Sequence, residues 1–188
     1  MTDAHVTLPE CMAALPHILA APKDAGAIDH LCFRPSRGTR TFPASLTLTK
    51  AEGIPGDRWL KEPWQRLSDG TPDPDLQVSI LPARVLDLIW RARETTTHPG
   101  DTIVADLDLG VANLPPGSLL QAGTAVLRVS GYFNEACVKW KTRHGKAATD
   151  FITAPGHAPL RLRGIICAVA ADGVVVATDH LRVIRRSA

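Results

Sequence analysis

Net charge is nearly absent from this 188-residue chain: 21 lysines and arginines face 19 aspartates and glutamates, a formal +2 at pH 7. That is too little for a general nucleic-acid or anionic-membrane binder, so any cationic function has to be local. Phosphate-loop signatures are missing too, with neither Gly-x-Gly-x-x-Gly nor Gly-x-x-x-x-Gly-Lys-Ser/Thr present. His-Glu-x-x-His and Gly-x-Ser-x-Gly are absent, which removes the common zinc-hydrolase and serine-hydrolase motifs. The seven histidines are scattered and no two share a helix face; they read as surface or internally satisfied side chains rather than ligands. No pair among Cys11, Cys32, Cys137 and Cys167 has Cys-x-x-Cys spacing, which excludes a zinc knuckle or a thioredoxin-type pair. The apolar stretch from Leu8 to Ala21 is broken by Glu10, Pro16 and His17, has no Lys or Arg before it, and is too short to span a bilayer. With no export signal and no disulfide framework, the expected location is cytoplasmic, with reduced thiols. No internal repeat or low-complexity tract is present.

What remains is an ordinary globular composition, 45% hydrophobic and 21% charged, with enough length for one domain and an extra terminal element. Residues 1–24 read as a helical appendage: Pro9 suits a helix start, Leu8, Met12, Leu15 and Leu19 recur at spacings of three and four, and Pro16 is expected to kink or split the segment. Residues 25–188 read as a β-rich domain. Ile28–Phe33, Ser45–Thr49, Gln77–Leu81, Thr102–Leu107, Leu119–Leu120, Thr124–Val129, Leu160–Ala170, Val174–Ala177 and Leu181–Ile184 are short apolar or alternating runs expected as strands. Asp172-Gly173 is a hairpin signal, and Leu60–Pro74 reads as an exposed excursion. Within this domain one helix is expected, from Pro82 to about Arg93, with Val85, Leu86, Ile89 and Trp90 on one face. The expected fold class is mostly β, a barrel or sandwich with a few peripheral helices.

The stretch that stands out is Asn134-Glu135-Ala136-Cys137-Val138-Lys139-Trp140, just past a strand and a turn at Gly131. Lys139, Lys141, Arg143 and His144 follow the cysteine, and a thiol beside cations is favoured as thiolate, the form that attacks electrophiles or binds soft metals. Other loops carry cations as well: Arg34, Arg37 and Arg40 around one turn, Arg58 after a glycine-rich loop, and Arg161 and Arg163, expected to alternate on one strand face. Guanidinium forks suit phosphate or carboxylate. If these loops gather at one barrel end, they form a cationic mouth around Cys137.

Taken in order, Arg34-Pro35, Gly53-Ile54-Pro55-Gly56-Asp57-Arg58, Gln77-Val78-Ser79-Ile80, Pro99-Gly100-Asp101, Asn113-Leu114-Pro115-Pro116-Gly117, the lone Cys137 after a strand, and Arg161-Leu162-Arg163-Gly164 with a closing hairpin resemble the MOSC domain, the molybdenum cofactor sulfurase C-terminal domain. The resemblance covers roughly residues 27–186. It departs at Trp59, where the family often has His; at Ala136, where Pro usually precedes the cysteine; and at Thr178-Asp179, where Gly-Asp is expected.

The resemblance implies a MOSC-type β-barrel that binds the molybdenum–molybdopterin cofactor. Cys137 would be the molybdenum ligand or a carrier of persulfide sulfur. Arg58, Lys139, Arg161 and Arg163 would bind the cofactor's anionic groups, and Gly56 and Asp57 would shape the loop beside them. It also implies no pyridoxal-phosphate site in the chain itself, so a cysteine desulfurase would be a partner. An electron-transfer protein is the other implied partner, for reduction of N-hydroxylated compounds. Two other readings are carried forward. One is a non-catalytic binding module that uses the N-terminal helix and basic loops to contact a protein; the other is a metal-free thiol redox enzyme.

Overall fold

A computed structural model describes residues 5–187. Nine strands and three helices follow one another as α1 (Leu8–Leu19), β1 (Ala25–Leu31), β2 (Ser45–Leu48), β3 (Val78–Pro82), α2 (Ala83–Ile89), β4 (Ile103–Ala105), β5 (Leu119–Ala122), β6 (Ala125–Val129), α3 (Val138–Thr153), β7 (Ile165–Ala171), β8 (Gly173–Val176) and β9 (His180–Arg185). Seven strands close a barrel in the order β1-β4-β3-β7-β6-β5-β9, while β2 and β8 form a separate antiparallel pair. All barrel pairings are antiparallel except β3 with β4. The mostly β, barrel expectation therefore holds.

Alternation in the sequence becomes alternation in burial. In β6, Ala125, Leu127 and Val129 point into the core while Arg128 faces out. Ile80, Ile103, Leu120, Leu127 and Leu181 are all fully buried in the barrel interior, and each such side chain contributes roughly 2 kcal/mol by leaving water. A second apolar cluster lies outside the barrel, where α1, α2 and α3 pack over Leu81, Val104 and Leu162.

Several local expectations are corrected. Asp172-Gly173 makes no hairpin: Asp172 alone separates β7 from β8, the chain runs on from Ala171 opposite Val126 to Val174 opposite Thr124, and β8 pairs with β2 instead of β7. Asp172 accepts a hydrogen bond from the Lys50 amide at 2.8 Å, and Gly173 lies so close to Thr124 and Ala125 that a Cβ there would fall 2.3 Å from the Ala125 nitrogen. That close crossing steers the chain out of the barrel sheet. The strand expected from Leu160 begins only at Ile165; Ala158–Leu160 is a 3-10 turn, and Arg161 adopts a left-handed conformation (φ 47°) that ends it.

The α2 helix stops at Ile89, short of Arg93. In α1 the helix runs through Pro16 to Leu19 without splitting, giving up the one bond that residue 16 would have donated to the Met12 carbonyl. Its buried stripe is Cys11 and Ile18, with Ala14 and Leu15 partly covered, so Leu8, Met12 and Leu19 face outward. The α1 orientation is set by a capping box between Thr7 and Glu10 and by the Glu10–Arg91 ion pair at 2.9 Å. The α3 helix was not expected, and is interrupted at Gly145 (φ 86°, ψ 170°). No helix among the described residues is long and apolar enough to cross a membrane.

Candidate functional site

One rim of the barrel collects the ends of β1 and β6 and the beginnings of β4 and β7, because Leu31 pairs with Ile103 and Val129 with Cys167 in the ladders that meet there. The loops leaving this rim enclose a cleft of about 690 Å³. Cys137, Arg58, Lys139, Arg163 and Asp57 all line it. Gly56 holds the loop behind Asp57 with φ +82°, its Cα facing the Phe33 ring. Arg161 is elsewhere. It is buried, donates to the Leu114 carbonyl at 2.6 Å, and lines a smaller neighbouring cavity of about 350 Å³. The segment Asn134–Ala136 borders both spaces.

Seven cationic side chains and four carboxylates line the cleft, an excess that favours an anionic ligand. Asp57 is buried and accepts from the Arg34 amide (3.0 Å), from Arg34 Nε (3.2 Å) and from the Trp59 amide (3.0 Å), so it pins the loop to the barrel. Asp101, also buried, takes both its bonds from Arg163 Nη1, at 2.9 and 3.0 Å. Arg163 additionally stacks over the Trp140 ring at 4.6 Å. Arg37 and Arg58 both reach Glu62. Arg40 and Arg143, two of the loop cations expected around the mouth, each donate to the Pro99 carbonyl at 3.4 Å. Burial first, and the nearby Arg143 charge next, lower the pKa of the Arg40 guanidinium.

The four thiols divide sharply. Cys11, Cys32 and Cys167 are buried, and burial raises all three, to about 11 for Cys32 and about 12 for Cys167. Cys137 alone is exposed. It stands at the start of α3 with extended backbone (φ −80°, ψ 168°) and no capping hydrogen bond from its side chain.

Histidines read from the sequence as scattered turn out to include a connected pair. The Gly100 amide donates to His98 Nδ1 at 3.0 Å, which leaves the ring proton on Nε2. That nitrogen lies 2.9 Å from His30 Nε2, and His30 Nδ1 lies 2.8 Å from an Asp29 carboxylate oxygen. The chain of donors thus runs Gly100 to His98 to His30 to Asp29. Burial, then the His30 charge, pushes His98 down to about 3, so the pair is held neutral at its buried end. Nothing in the sequence signals a contact between residues 68 apart. Among the described residues no group of three or more His, Cys, Asp or Glu side chains has the arrangement of a metal site.

No protein-family model matches this chain, and no curated protein matches it. Solved structures do. YuaD from Bacillus subtilis aligns with TM-score 0.58 and 20% identity over 87% of this chain and 97% of its own. YiiM from Escherichia coli aligns with TM-score 0.54 and 19% identity over 86% and 71%. YiiM from Geobacillus stearothermophilus aligns with TM-score 0.57 and 17% identity over 86% and 76%. At these identities what is shared is the barrel fold.

Proposed function

We propose that this chain is a MOSC-type barrel that binds the molybdenum–molybdopterin cofactor in the rim cleft, with Cys137 offering its sulfur to the metal. The observation that carries this reading is the one exposed thiol opening onto a cleft with surplus positive charge. The ordered motifs of the sequence and the fold shared with YuaD and YiiM support it.

The residues fit the group. Thiolate is a soft ligand suited to molybdenum, the volume suits a pterin-sized ligand, and Arg40 Nε and Arg163 Nε are buried nitrogens without a partner among the described residues. Arg58 and Lys139 would face the ligand's anionic groups. Asp57 and Gly56 hold the loop that carries Arg58, and Arg163, locked to Asp101, forms the wall beside Cys137. When bound, the cofactor would supply two-electron chemistry at the metal, the class required to reduce an N-hydroxylated compound, with electrons from a partner protein.

The exposure of Cys137 also suits a second use of the same site. A persulfide carrier needs an accessible thiol that a cysteine desulfurase can reach. A simple docking module would use the exposed Leu8, Met12 and Leu19 of α1, since Cys11 and Ile18 pack into the chain's own helical cluster, but it gives the exposed Cys137 no role.

The test is metal, pterin and cyanide-labile sulfur analysis of protein expressed in a cofactor-competent host, beside Cys137→Ser. Molybdenum and pterin in wild type, with molybdenum lost from the variant, is expected for the ligand role. Labile sulfur present only in wild type is expected for the carrier. A wild-type protein with no molybdenum that accepts no persulfide refutes both.

A further inference from the structure

Most cations of the cleft are already matched. Arg34 is held by Asp57, Arg163 by Asp101, and Arg37 and Arg58 by Glu62. Among the described residues Arg40, Arg143 and Lys139 form no ion pair, and the first two are brought together by the fold. Arg40 Nη2 and Arg143 Nη1 converge on the single carbonyl oxygen of Pro99, each at 3.4 Å. Arg40 Nη1 also donates to the Gly38 carbonyl at 3.2 Å, but these neutral acceptors leave two like charges uncompensated and most of ten donors unused.

The backbone beneath them is built for this approach. Gly100 has φ +95°, and a Cβ there would fall 3.1 Å from Arg40 Nε and 3.4 Å from Arg34 Cδ. Glycine lets the guanidinium lie against the chain. From behind, the Gly100 amide is tied to His98, which His30 and Asp29 hold in turn. The turn that aims the Pro99 carbonyl is therefore anchored, and the buried Arg40 Nε still lacks a partner among the described residues.

We propose that Arg40 and Arg143, over the Pro99–Gly100 turn, form a binding site for a phosphate-type oxyanion, and that this pair rather than Arg161 or Arg163 receives the anionic end of the cleft's ligand. A dianion neutralises both guanidinium charges, whereas a carboxylate neutralises one. Two forks also match a tetrahedral group with several acceptor oxygens. The ligand class is a phosphate monoester or free phosphate. The inference deepens the cofactor reading and rests on it only for what the phosphate is attached to.

The experiment is calorimetric titration of the full chain with inorganic phosphate and, separately, with an aromatic phosphate monoester, at low salt. Wild type is compared with Arg40→Gln, Arg143→Gln, Arg143→Lys and Arg37→Gln. Loss of either member of the pair is expected to weaken phosphate binding about tenfold, the effect of one charge-assisted contact. Arg143→Lys, which keeps charge but loses the fork, should fall between, and it reads the site even if Arg40→Gln fails to fold. Arg37→Gln removes a cleft charge outside the pair and should change little. Tighter binding of the monoester identifies a phosphate carried on a larger ligand; equal binding identifies free phosphate.

The proposal is overturned if neither probe binds, or if Arg37→Gln weakens binding as much as Arg40→Gln or Arg143→Gln, since then only the general field matters. If phosphate binding depends on the pair while molybdenum and pterin are absent from the protein, the oxyanion site stands and the cofactor reading falls. If molybdenum loads normally into Arg40→Gln and Arg143→Gln and phosphate ignores them, the reverse holds.

Discussion

Acidification should unfold this protein through two histidines, and the size of the effect follows from their burial. His144 is fully buried on α3; among the described residues neither ring nitrogen makes a well-formed hydrogen bond, and the Ile89 carbonyl nearby only partly offsets its burial. Burial, and then the Arg143 guanidinium, pushes it down to about 4; burial, and then His30, pushes His98 down to about 3. In the unfolded chain both titrate near ~6.5. Between that value and the folded ones, the unfolded state binds protons that the native state refuses, so stability falls as pH falls. Above about 7 neither state binds them and the dependence vanishes. Each histidine contributes a slope of about 1.4 kcal/mol per pH unit inside the window. Moving from pH ~6.5 to ~4.5 thus costs on the order of 5 kcal/mol for the pair, a large share of a typical ~5–15 kcal/mol. Urea unfolding at several pH values measures this, with His144→Phe as the variant, since a phenyl ring keeps the edge-on packing against Trp140 (centroids 4.9 Å apart) without titrating. Near pH 5 wild type should take up about two protons on unfolding from these groups and the variant about one less. Carboxylates such as Glu10, held at about 2 by its bonds to Thr7 and Arg91, add the same background to both proteins and cancel in the comparison. If His144→Phe loses stability as steeply as wild type between pH 7 and 5, His144 is not excluded from protons and the reasoning fails.

Three further outcomes are expected. Gly164→Ala should cost at least ~3 kcal/mol by denaturation midpoint, because φ is +88° and the new Cβ would sit 2.0 Å from the Ile80 carbonyl oxygen, which belongs to the barrel backbone; a wild-type midpoint would show that β3 can retreat. Asp101→Asn leaves the half-buried Arg163 without its counter-charge and should lose about 3 kcal/mol, measured in the same way, with little loss if water reaches Arg163. Gly56→Ala forces a β-carbon into a left-handed position (φ +82°) against the Phe33 ring at 3.4 Å; a loss of about 1–2 kcal/mol is expected, together with disorder of the Asp57–Arg58 turn visible as faster amide exchange.

The barrel was largely legible because its strands are short, alternate in polarity and are punctuated by Gly, Pro and Asp. Leu127 and Val129 bracket Arg128 in sequence as they do in space. The pairing partners were not legible: nothing local says that Gly173–Val176 prefers β2 to its neighbour β7, since the choice is made by backbone crowding at Thr124 and Ala125. The α3 helix escaped notice because Gly145 breaks its period and its first turns, rich in Lys and Arg, read as a charged loop. Motif order brought Arg58, Lys139 and Arg163 to one cleft with Cys137. Arg161 lines the neighbouring cavity instead, because its left-handed conformation breaks the strand alternation expected for it. Arg40 and Arg143 are among the loop cations of the expected mouth, but nothing local pairs them; the shared Pro99 carbonyl does.

Closure of the barrel has a consequence for how the chain folds. The strand that seals it, β9, sits between β1 and β5 and pairs Arg182 with Ala25. During synthesis, β1 and β5 therefore wait with open hydrogen-bonding edges until residues 180–185 have left the ribosome, and ladder formation across so long a loop is slow. An unsealed edge recruits other strands. Premature termination just before His180 should accordingly yield an aggregating species rather than a smaller soluble domain, and the rate of refolding should be governed by the arrival of β9 rather than by the assembly of the helices.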